Sequence, residues 1–529
     1  MWIGGATLIR QMVYDGFSNL IWDQVAGGQG DATYADLAST ATGKGAALVG
    51  FLQSGAGAVT RTVLAKDRDV VSVKDFGAKG DGSTNDTAAI QAADTYARSI
   101  GAVAYFPGAT YMVSQLVLNT NSTWIGDGRN NTIIKQIIGS NTDLIYALNS
   151  NANYGSSSPT GVVAGFCIKG ITLNGNWNAG AGNTLGSGIS AYAARPILRD
   201  VFITNVAEYG MRTEYTDNAA GVDTFTMEGA FDNVRIDTVG KHGWWNNGPH
   251  DSVSNNVVVV DAGQATTNTW DGLYYDAKSG GRNLSMHAWS RSASNRMRYA
   301  LNLISGATHE FSGGCNFEGA YTANMRLASS GCLFDSTTRW YAAWNGMNIM
   351  LAGSCASNVI KGIVQGPGSG RPASVGLSLG SVAGDAIIQN DIDLLMVAQE
   401  AGNITWTAYD SGLNTIRLNC YNTTTSTYNG AVNAYDNVQM ILKNSGGTTR
   451  VNNQVQSGTL ALTANAESTF NFPYGFTAAP VCTFSVSSPS AAFAAGAWIA
   501  ALGSTSVTIY NNNAVTATAQ IVAVAPPTP

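Results

Sequence analysis

Charged residues are scarce in this 529-residue chain: they make up only 12% of it, and the formal net charge is −6 at pH 7. No run of Lys and Arg forms the basic patch of a nucleic-acid-binding protein, so no nucleic-acid partner is expected. A disordered chain of this length would carry more charge and fewer aromatic residues. The chain is therefore expected to fold around a large core, and its length leaves room for two or three domains.

Cysteine is also scarce, and the cysteines are not arranged in close pairs. The six of them lie at long, irregular spacings: Cys167, Cys315, Cys332, Cys355, Cys420 and Cys482. This spacing argues against a disulfide scaffold and against a zinc site. Reduced and mostly buried thiols are expected, consistent with folding in a cytoplasm.

The sequence lacks the usual targeting and cofactor-binding motifs. The opening Met-Trp-Ile-Gly-Gly has neither the basic nor the apolar stretch of a signal peptide. The apolar stretch 491–503 is rich in Ala and Gly and is too short to span a bilayer. Walker, dinucleotide-binding, serine-elbow and HExxH motifs are missing, so no cofactor and no metal are predicted. Synthesis in a cytoplasm and release by a route such as cell lysis is expected.

Glycine, with 61 residues, is abundant, and Asn, Ser and Thr crowd the chain beside a 45% hydrophobic fraction. This composition favours many short strands joined by tight turns. From about 160 to 425, short runs with alternating apolar residues recur at intervals of roughly 24–31 residues, as in a repeat fold. The runs are 166–173, 231–236, 255–260, 387–392 and 414–418. Recurrence of this kind fits the coils of a parallel β-helix; an array of antiparallel β-sandwiches is the alternative.

Local signals for a capped β stack begin at residue 71. Val71 and Val73 alternate with polar residues and predict a strand. Asn85 or Asp86 can cap a following helix. The apolar face of that helix comprises Ile90, Ala93, Ala97 and Ile100. A short amphipathic helix at this position can cover the open end of a β stack.

The same segment carries a family resemblance. Residues 75–82, Asp-Phe-Gly-Ala-Lys-Gly-Asp-Gly, and residues 85–91, Asn-Asp-Thr-Ala-Ala-Ile-Gln, resemble the opening of the pectate-lyase-like β-helix of phage tailspikes and capsule depolymerases. Phe-Pro-Gly at 106–108 and Trp-Ile-Gly-Asp-Gly at 124–128 follow in the order of that family. The resemblance is specific over residues 64–135 and diffuse from there to about residue 430. Beyond residue 430 only the order of the domains is similar.

The resemblance implies an all-β protein with three parts. Residues 1–68 would be an adaptor or stalk that attaches to the phage tail or baseplate. Residues 69–430 would form a single-stranded, right-handed parallel β-helix with an N-terminal capping helix, whose acidic residues are structural. Residues 431–529, with alternating apolar positions on short strands, are interpreted as a β-sandwich for trimerisation or carbohydrate binding.

The resemblance also implies a function and an assembly. A homotrimer in the virion tail would bind bacterial surface polysaccharide and cleave it, without insertion into a membrane. A polysaccharide lyase and a non-catalytic receptor-binding fibre are the alternatives. A secreted lyase unrelated to phage would need an export signal, which the sequence lacks.

Candidate catalytic residues follow from aligning the coils on apolar positions. Ile236, Val260, Met286 and Phe317 serve as the aligned positions, and the residues directly after them are Asp237, Asp261, His287 and Glu318. Strands in register lie ~4.8 Å apart, so carboxylates in one outward column are about 5 or 10 Å apart. These separations bracket those of retaining and inverting glycosidases. Hydrolysis of a glycosidic bond is therefore predicted; ordinary solvated surface acids are the alternative interpretation.

Aromatic and arginine side chains accompany these acids. The predicted substrate-binding residues are Trp270, Trp289, Trp340, Tyr274, Arg291 and Arg296. Sugar C–H faces pack on aromatic rings, which makes exposed Trp beside acids typical of a saccharide groove. The arginines can pair with acidic groups of a capsule or make salt bridges between chains. The alternative places the rings in the core or in trimer contacts.

Overall fold

A computed structural model of the chain describes residues 9–14, 20–26, 34–147, 163–178, 181–214, 228–291, 297–304, 306, 308–344, 346–366, 375–382, 384–397, 404–406, 413–421, 428–429, 436–444, 447–452, 455–462, 466–471, 481–487, 497–503, 506–511 and 517–524. The chain divides into two compact units, Met1–Val71 and Ser72–Pro529.

The first unit contains short elements only. Its strands form two antiparallel hairpins, Ile9–Tyr14 with Leu20–Ala26 and Gly50–Phe51 with Arg61–Thr62. Its helices are Tyr34–Leu37, the 3-10 helix Gly45–Leu48 and Val63–Asp67. The strand Val70–Ser72 follows the last of these helices.

Most of the second unit forms a right-handed parallel β-helix, in which successive coils stack strand on strand. The stack has three faces. Face 1 consists of Val103–Phe106, Thr123–Gly126, Cys167–Lys169, Ile197–Arg199, Ala230–Asp232, Ser252–Asn255, Gly280–Leu284, Thr308–Ser312 and Leu333–Phe334. Face 2 consists of Ala109–Val113, Thr132–Gln136, Thr172–Asn174, Phe202–Val206, Arg235–Val239, Val258–Val260, His287–Trp289, Asn316–Glu318 and Arg339–Tyr341.

Face 3 lies on a separate sheet. It consists of Leu116–Val117, Ile145–Ala147, Ile189–Ala194, Met211–Glu214, Trp244–Asn247, Leu273–Tyr275, Tyr299–Leu303, Ala323–Leu327, Met347–Leu351, Val375–Leu379, Ile404–Trp406 and Tyr428–Asn429. Short strands beside the faces are Asp81–Asn85, Val163–Ala164, Trp177–Asn178, Ala181–Gly182, Ser354–Ala356 and Ala386–Ile388.

Faces 1 and 2 merge towards the C-terminal end of the stack. Val359–Gln365 pairs with the last strand of each face, because its first two residues continue face 1 and its last three continue face 2. Three further long strands stack on it in parallel: Asp391–Val397, Thr415–Tyr421 and Asn437–Asn444. Parallel stacking therefore continues beyond residue 430, where the sequence predicted its end.

A helix covers the N-terminal end of the stack, as predicted. It spans Thr87–Ser99, follows the 3-10 helix Val73–Phe76, and buries Ile90, Ala93 and Ala97. Asp94 is also buried and accepts hydrogen bonds from the indole nitrogen of Trp124 at 2.8 Å and from the hydroxyl of Ser122 at 3.1 Å. These bonds attach the helix to the coil of Trp124.

Two details of this helix differ from the expectation. Ile100 follows the helix and is exposed, because the helix ends one residue before it. The carboxylate of Asp86 accepts the backbone N–H groups of Lys79 and Gly80, so it fixes the preceding loop and does not cap the helix. The amide oxygen of Asn85 accepts the N–H of Thr87. The acidic Asp86 is therefore structural, as the resemblance implied.

A ladder of buried amides runs along the later coils. The side-chain nitrogens of Asn358, Asn390 and Asn414 each donate to the side-chain oxygen of the next coil, at 2.9 Å in each case, and the last acceptor is Asp436. All four side chains are buried. The ladder satisfies polar groups in the interior and fixes the register of neighbouring coils.

The strands after the stack are antiparallel. Gly447–Asn452 pairs with Asn437–Asn444, and two three-stranded sheets follow. In sheet order, one contains Val455–Leu462, Ala517–Val524 and Val481–Ser487, and the other contains Ala466–Asn471, Ser506–Asn511 and Ala497–Leu502. The β-sandwich predicted for residues 431–529 stays a prediction.

The prediction of mostly buried thiols is confirmed. All six cysteines are free; Cys167 and Cys482 are partly buried and the others are buried. Burial raises the pKa of both Cys315 and Cys332 to about 11, so these thiols are protonated at neutral pH. Within the described ranges, no helix is long and apolar enough to cross a bilayer.

Candidate functional sites on faces 2 and 3

The four predicted catalytic residues lie on or next to face 2, but they do not form one column. Asp237 pairs with Val260, Val260 with Trp289 and Trp289 with Glu318. Asp261 lies one residue beyond this column. His287 lies two residues before it, opposite Val258. The predicted register is therefore wrong for Asp261 and His287.

The register of Asp261 and His287 was predicted wrongly for a physical reason. The inward row of face 2 consists of Ile236, Val259, Ala288, Phe317 and Trp340. Val260 and Met286 are fully buried too, although they lie outside that row. Hydrophobic character alone therefore did not identify the inward row of face 2.

Arg291 holds Asp237 and Asp261 together. Its Nε lies 2.7 Å from a carboxylate oxygen of Asp261, its backbone N–H donates to the other oxygen at 2.6 Å, and its guanidinium also contacts Asp237. Arg235 contacts the second oxygen of Asp237 at 2.8 Å. Both aspartates are buried while Arg291 is exposed. The two aspartates therefore belong to one salt-bridged network with Arg291 and Arg235.

Glu318 and His287 are placed differently. Glu318 is partly buried and lies between Trp289 and Tyr341 in the outward column. Two strand spacings, roughly 10 Å, separate its strand from that of Val258–Val260, which Asp261 follows. Burial lowers the pKa of His287, so this imidazole is neutral at pH 7.

The predicted substrate-binding residues do not gather at one site. Trp289 and Arg291 lie on face 2, whereas Trp270 and Tyr274 lie at face 3. Trp340 is fully buried in the inward row and packs against Phe334, so it cannot contact a saccharide and is removed from the site. Arg296 lies outside the described residues.

Face 3 carries a set of aromatic and charged side chains that we call the face-3 aromatic surface. Its members, all on neighbouring coils, are Tyr209, Arg212, Glu214, His242, Trp245, Trp270, Tyr274 and Asp276. Arg212, Trp245 and Tyr274 form one outward column, since each pairs with the next in parallel register. Most of these side chains are partly exposed, which leaves ring surface accessible to a ligand.

Close ring contacts order this surface. The imidazole of His242 stacks between Tyr274, at a centroid distance of 4.6 Å, and Tyr209, at 5.8 Å, while Trp270 meets it edge-on at 5.1 Å. The guanidinium of Arg212 lies 4.6 Å from the ring centroid of Trp245. Rings fixed by their neighbours lose little conformational entropy when a sugar packs on them.

The hydrogen bonds of His242 define its protonation state. Its Nδ1 accepts the backbone N–H of Asp271 at 2.9 Å, and burial lowers its pKa to about 4. At neutral pH the ring is therefore neutral, with its proton on Nε2. Asp271 is fully buried and receives two hydrogen bonds from Arg298, at 2.9 and 2.8 Å.

Two carboxylates share a second outward column of face 3. Glu214 pairs with Asn247, and Asp276 follows Tyr275, which pairs with Asn246. Burial raises the pKa of Glu214; the guanidinium of Arg212, in direct contact, opposes this effect, and the charge of Asp276 adds to it. Asp276 is partly exposed and accepts a hydrogen bond from the indole nitrogen of Trp245 at 3.2 Å.

Sequence reasoning missed Tyr209, Arg212 and Glu214. A usable signal was present, because Gly188, Gly210, Gly243 and Gly272 each precede a strand of face 3. A Cβ atom at Gly210 would lie 2.5 Å from the carbonyl oxygen of Gly243, so the coils can stack this closely only on glycine. Aligning the coils on these glycines puts Arg212, Trp245 and Tyr274 in one column.

Comparison with known proteins finds one matching family model and remote structural likenesses. Residues 70–283 match the family model described as rhamnogalacturonase A/epimerase, pectate lyase-like. The tailspike gp49 of Pseudomonas phage LKA1 aligns over 86% of this chain and 99% of its own, with 12% identity and a TM-score of 0.48. The parallel β-helix predicted from the sequence is confirmed by the strand pairing, and the family match over residues 70–283 agrees with the resemblance found at residues 75–91.

Two curated relatives match short segments of the chain. A tail spike protein from an Escherichia phage is 45% identical over 85 residues, which is 15% of this chain and 10% of that protein. Alginate lyase 7 of Azotobacter vinelandii is 43% identical over 77 residues, which is 13% of this chain and 9% of that protein. The matched segments thus span only about a tenth of these relatives.

Proposed function

We propose that the chain is a phage tailspike that binds a bacterial surface polysaccharide and cleaves it by hydrolysis of a glycosidic bond. The observation that carries this proposal is the face-3 aromatic surface, where partly exposed Trp245, Trp270 and Tyr274 lie beside carboxylates and a guanidinium. Aromatic planes bind the apolar faces of sugars, and a few polar groups orient them. The local match to a tail spike protein supports the assignment to a phage tail.

The protonation states on face 3 favour hydrolysis over β-elimination. A lyase needs a base that can remove a proton next to a uronate carboxyl group. The Nδ1 lone pair of His242 is occupied by the N–H of Asp271. Burial raises the pKa of Tyr209 and of Tyr274, so both phenols keep their protons. Carboxylates, which hydrolysis requires, lie beside them.

One observation on face 2 keeps β-elimination as a second candidate. Burial lowers the pKa of His287, so this imidazole is neutral and could accept a proton at pH 7. The exposed guanidinium of Arg291 could then stabilise an enolate. Asp237 and Asp261 would serve hydrolysis only after release from Arg291. Glu318 remains the best-placed of the predicted face-2 acids.

The proposal includes assembly as a homotrimer that attaches to the phage tail through the N-terminal region. Three equivalent binding faces on one spike would give avidity for a repetitive polymer. Release from lysed host cells would bring the protein outside the cell.

The test is to incubate the purified chain with capsular and other surface polysaccharides of candidate hosts and to analyse the products. New reducing ends without the ultraviolet absorbance of an unsaturated uronate are expected. Products with that absorbance would support the lyase, and binding without cleavage would support a receptor-binding fibre. Either result would overturn the hydrolase.

A pair of variants tests the binding surface itself. The double variant Trp245→Ala/Tyr274→Ala should weaken polysaccharide binding by about 10-fold or more, since each stacked ring contributes roughly 1 kcal/mol or more. Tyr421→Ala removes an exposed aromatic side chain from a distant coil and should bind as the parent does. Equal affinity of all three proteins would remove face 3 from the proposal.

A further inference from the structure

We infer that Glu214 and Asp276 are the catalytic pair of this hydrolase, with Glu214 as general acid and Asp276 as general base on face 3. The inference rests on the proposed function. It assigns the reaction to residues other than the face-2 acids that the sequence pattern indicated.

The stacking of the coils fixes the distance between the two carboxylates. Glu214 pairs with Asn247, and Asp276 occupies the next position in the same column, since its N–H donates to the carbonyl of Asn246 at 2.7 Å. Two strand spacings therefore separate them, roughly 10 Å between backbones. This backbone separation is close to the upper end of the roughly 6.5–9.5 Å between carboxyl groups that is typical of inverting glycosidases, which leaves room for a water molecule.

The environments of the two carboxylates differ in the sense that catalysis requires. Glu214 is buried, and burial raises its pKa against the opposing charge of Arg212, which is the direction of shift that a general acid requires. Asp276 is partly exposed, and its carboxylate accepts hydrogen bonds from the indole of Trp245 and from the N–H of Ala277 at 2.7 Å. These donors stabilise the anionic form that a base needs.

The surrounding rings lie where a sugar would have to bind. Trp245 belongs to the coil between Glu214 and Asp276, and its ring is 6.2 Å from that of Tyr274. Arg212 contacts both Glu214 and the face of Trp245. A saccharide unit packed on Trp245 would thus lie between the two carboxylates. On face 2, Asp237 and Asp261 share the guanidinium of one residue, Arg291.

The reaction balances with water as the only co-substrate. The carboxyl group of Glu214 gives its proton to the glycosidic oxygen as the bond from that oxygen to the anomeric carbon breaks. Asp276 takes a proton from a water molecule whose oxygen forms the new bond to the same carbon. The products are a free hydroxyl group and a new reducing end of inverted configuration. Glu214 is left ionised and Asp276 protonated, and solvent exchange restores both.

The test compares Glu214→Gln and Asp276→Asn with two matched variants on the polysaccharide that the parent cleaves. Both pair variants should lower kcat by about 10²–10⁴-fold and should bind intact polysaccharide within a few-fold of the parent. Glu208→Gln changes another carboxylate at face 3, one that pairs with Lys241, and should retain activity. Glu228→Gln, at an exposed carboxylate that pairs with Arg195, should retain it as well.

Two further measurements distinguish catalysis from a structural role. Nuclear magnetic resonance of the first product should show inversion at the anomeric carbon. Azide should restore bond cleavage by Asp276→Ala, because azide attacks without a base. Retention of configuration, or activity of Glu214→Gln equal to that of the parent, would overturn the pair and leave the proposed function standing. A parent chain that cleaves no polysaccharide would overturn both.

Discussion

At the scale of single residues, Arg291 compensates the charge of two buried aspartates on face 2. Arg291→Ala should lower stability by about 1–3 kcal/mol, because Asp237 and Asp261 lose hydrogen bonds and a shared cation. Thermal melting of the parent and the variant measures the effect as a fall in Tm.

Arg282→Ala is the matched control for this prediction. Arg282 contacts Glu310 at 3.1 Å on the outer side of face 1, and its side chain is 65% exposed. Exposed ion pairs contribute little, typically about 0–1 kcal/mol. Equal falls in Tm for the two variants would show that burial of the aspartates is not what makes Arg291 important.

The buried His309 predicts a dependence of stability on pH. Burial lowers its pKa to about 3, whereas an unfolded histidine titrates near 6.5. Between these values the unfolded chain binds a proton that the folded chain does not, so stability falls as the pH decreases through this range. Tm should fall between pH 7 and pH 5, and by less in His309→Gln than in the parent. An equal fall in both proteins would contradict this assignment.

The sequence predicted which residues lie on outward strand positions better than it predicted which of these residues share one column. Asp237 and Glu318 were correctly placed on the outer side of coils, because each follows a buried residue on a short strand. The column that joins them was predicted wrongly at Asp261 and His287. Coil length varies along the chain, and a shift of one residue changes every neighbour. Glu214 and Asp276 share a column because each lies four residues after a glycine that begins its coil on face 3, a spacing that the apolar alignment did not use.

At the scale of elements, the amide ladder connects the later coils. Asn390→Ala removes the acceptor of the backbone and side-chain N–H groups of Asn358, at 3.1 and 2.9 Å, and the donor to Asn414. Buried groups left without partners cost about 1–3 kcal/mol each, so a total of about 3 kcal/mol is expected. The fall in Tm measures it.

Asn419→Ala provides the comparison for the ladder. Asn419 lies on the outer side of Thr415–Tyr421 and is partly exposed, so water can replace its hydrogen bonds. Its loss should change Tm little. A comparable fall in Tm for both variants would mean that the ladder contributes no more than any surface amide.

Elements with strong local signals were predicted well. The apolar spacing of Ile90, Ala93 and Ala97 predicted the helix found at Thr87–Ser99. The C-terminal end of the stack was harder to predict, since Asn437–Asn444 pairs in parallel on one side and antiparallel on the other. Alternation of apolar residues is the same in both kinds of pairing. Whether a strand pairs in parallel or antiparallel depends on its partner strand, and the sequence of the strand itself does not identify that partner.

At the scale of the whole molecule, we predict a homotrimer. Leu395 is 38% exposed on the outer side of Asp391–Val397, where a neighbouring chain could cover it. Light scattering of the purified protein should give a mass three times that of one chain. Leu395→Glu should reduce that mass, because an interface that buries a carboxylate without a partner is disfavoured.

Val382→Glu is the control variant for the test of the trimer interface. Val382 is 61% exposed in a connection outside the long strands, so its variant should keep the parent's mass. A monomeric parent that still cleaves polysaccharide would refute the trimer without affecting the sites on faces 2 and 3.

Parallel stacking also fixes the distances between backbone positions that lie in one outward column. The gap between two side chains in one column can change only by whole steps of ~4.8 Å, since a coil is either present or absent. Deletion of the coil that contains Trp244–Asn247 would bring Glu214 and Asp276 onto adjacent coils, about 5 Å apart. That is the spacing of retaining enzymes. In such a scaffold the stereochemical outcome of a reaction can change by loss or gain of one repeat, without substitution of either acid.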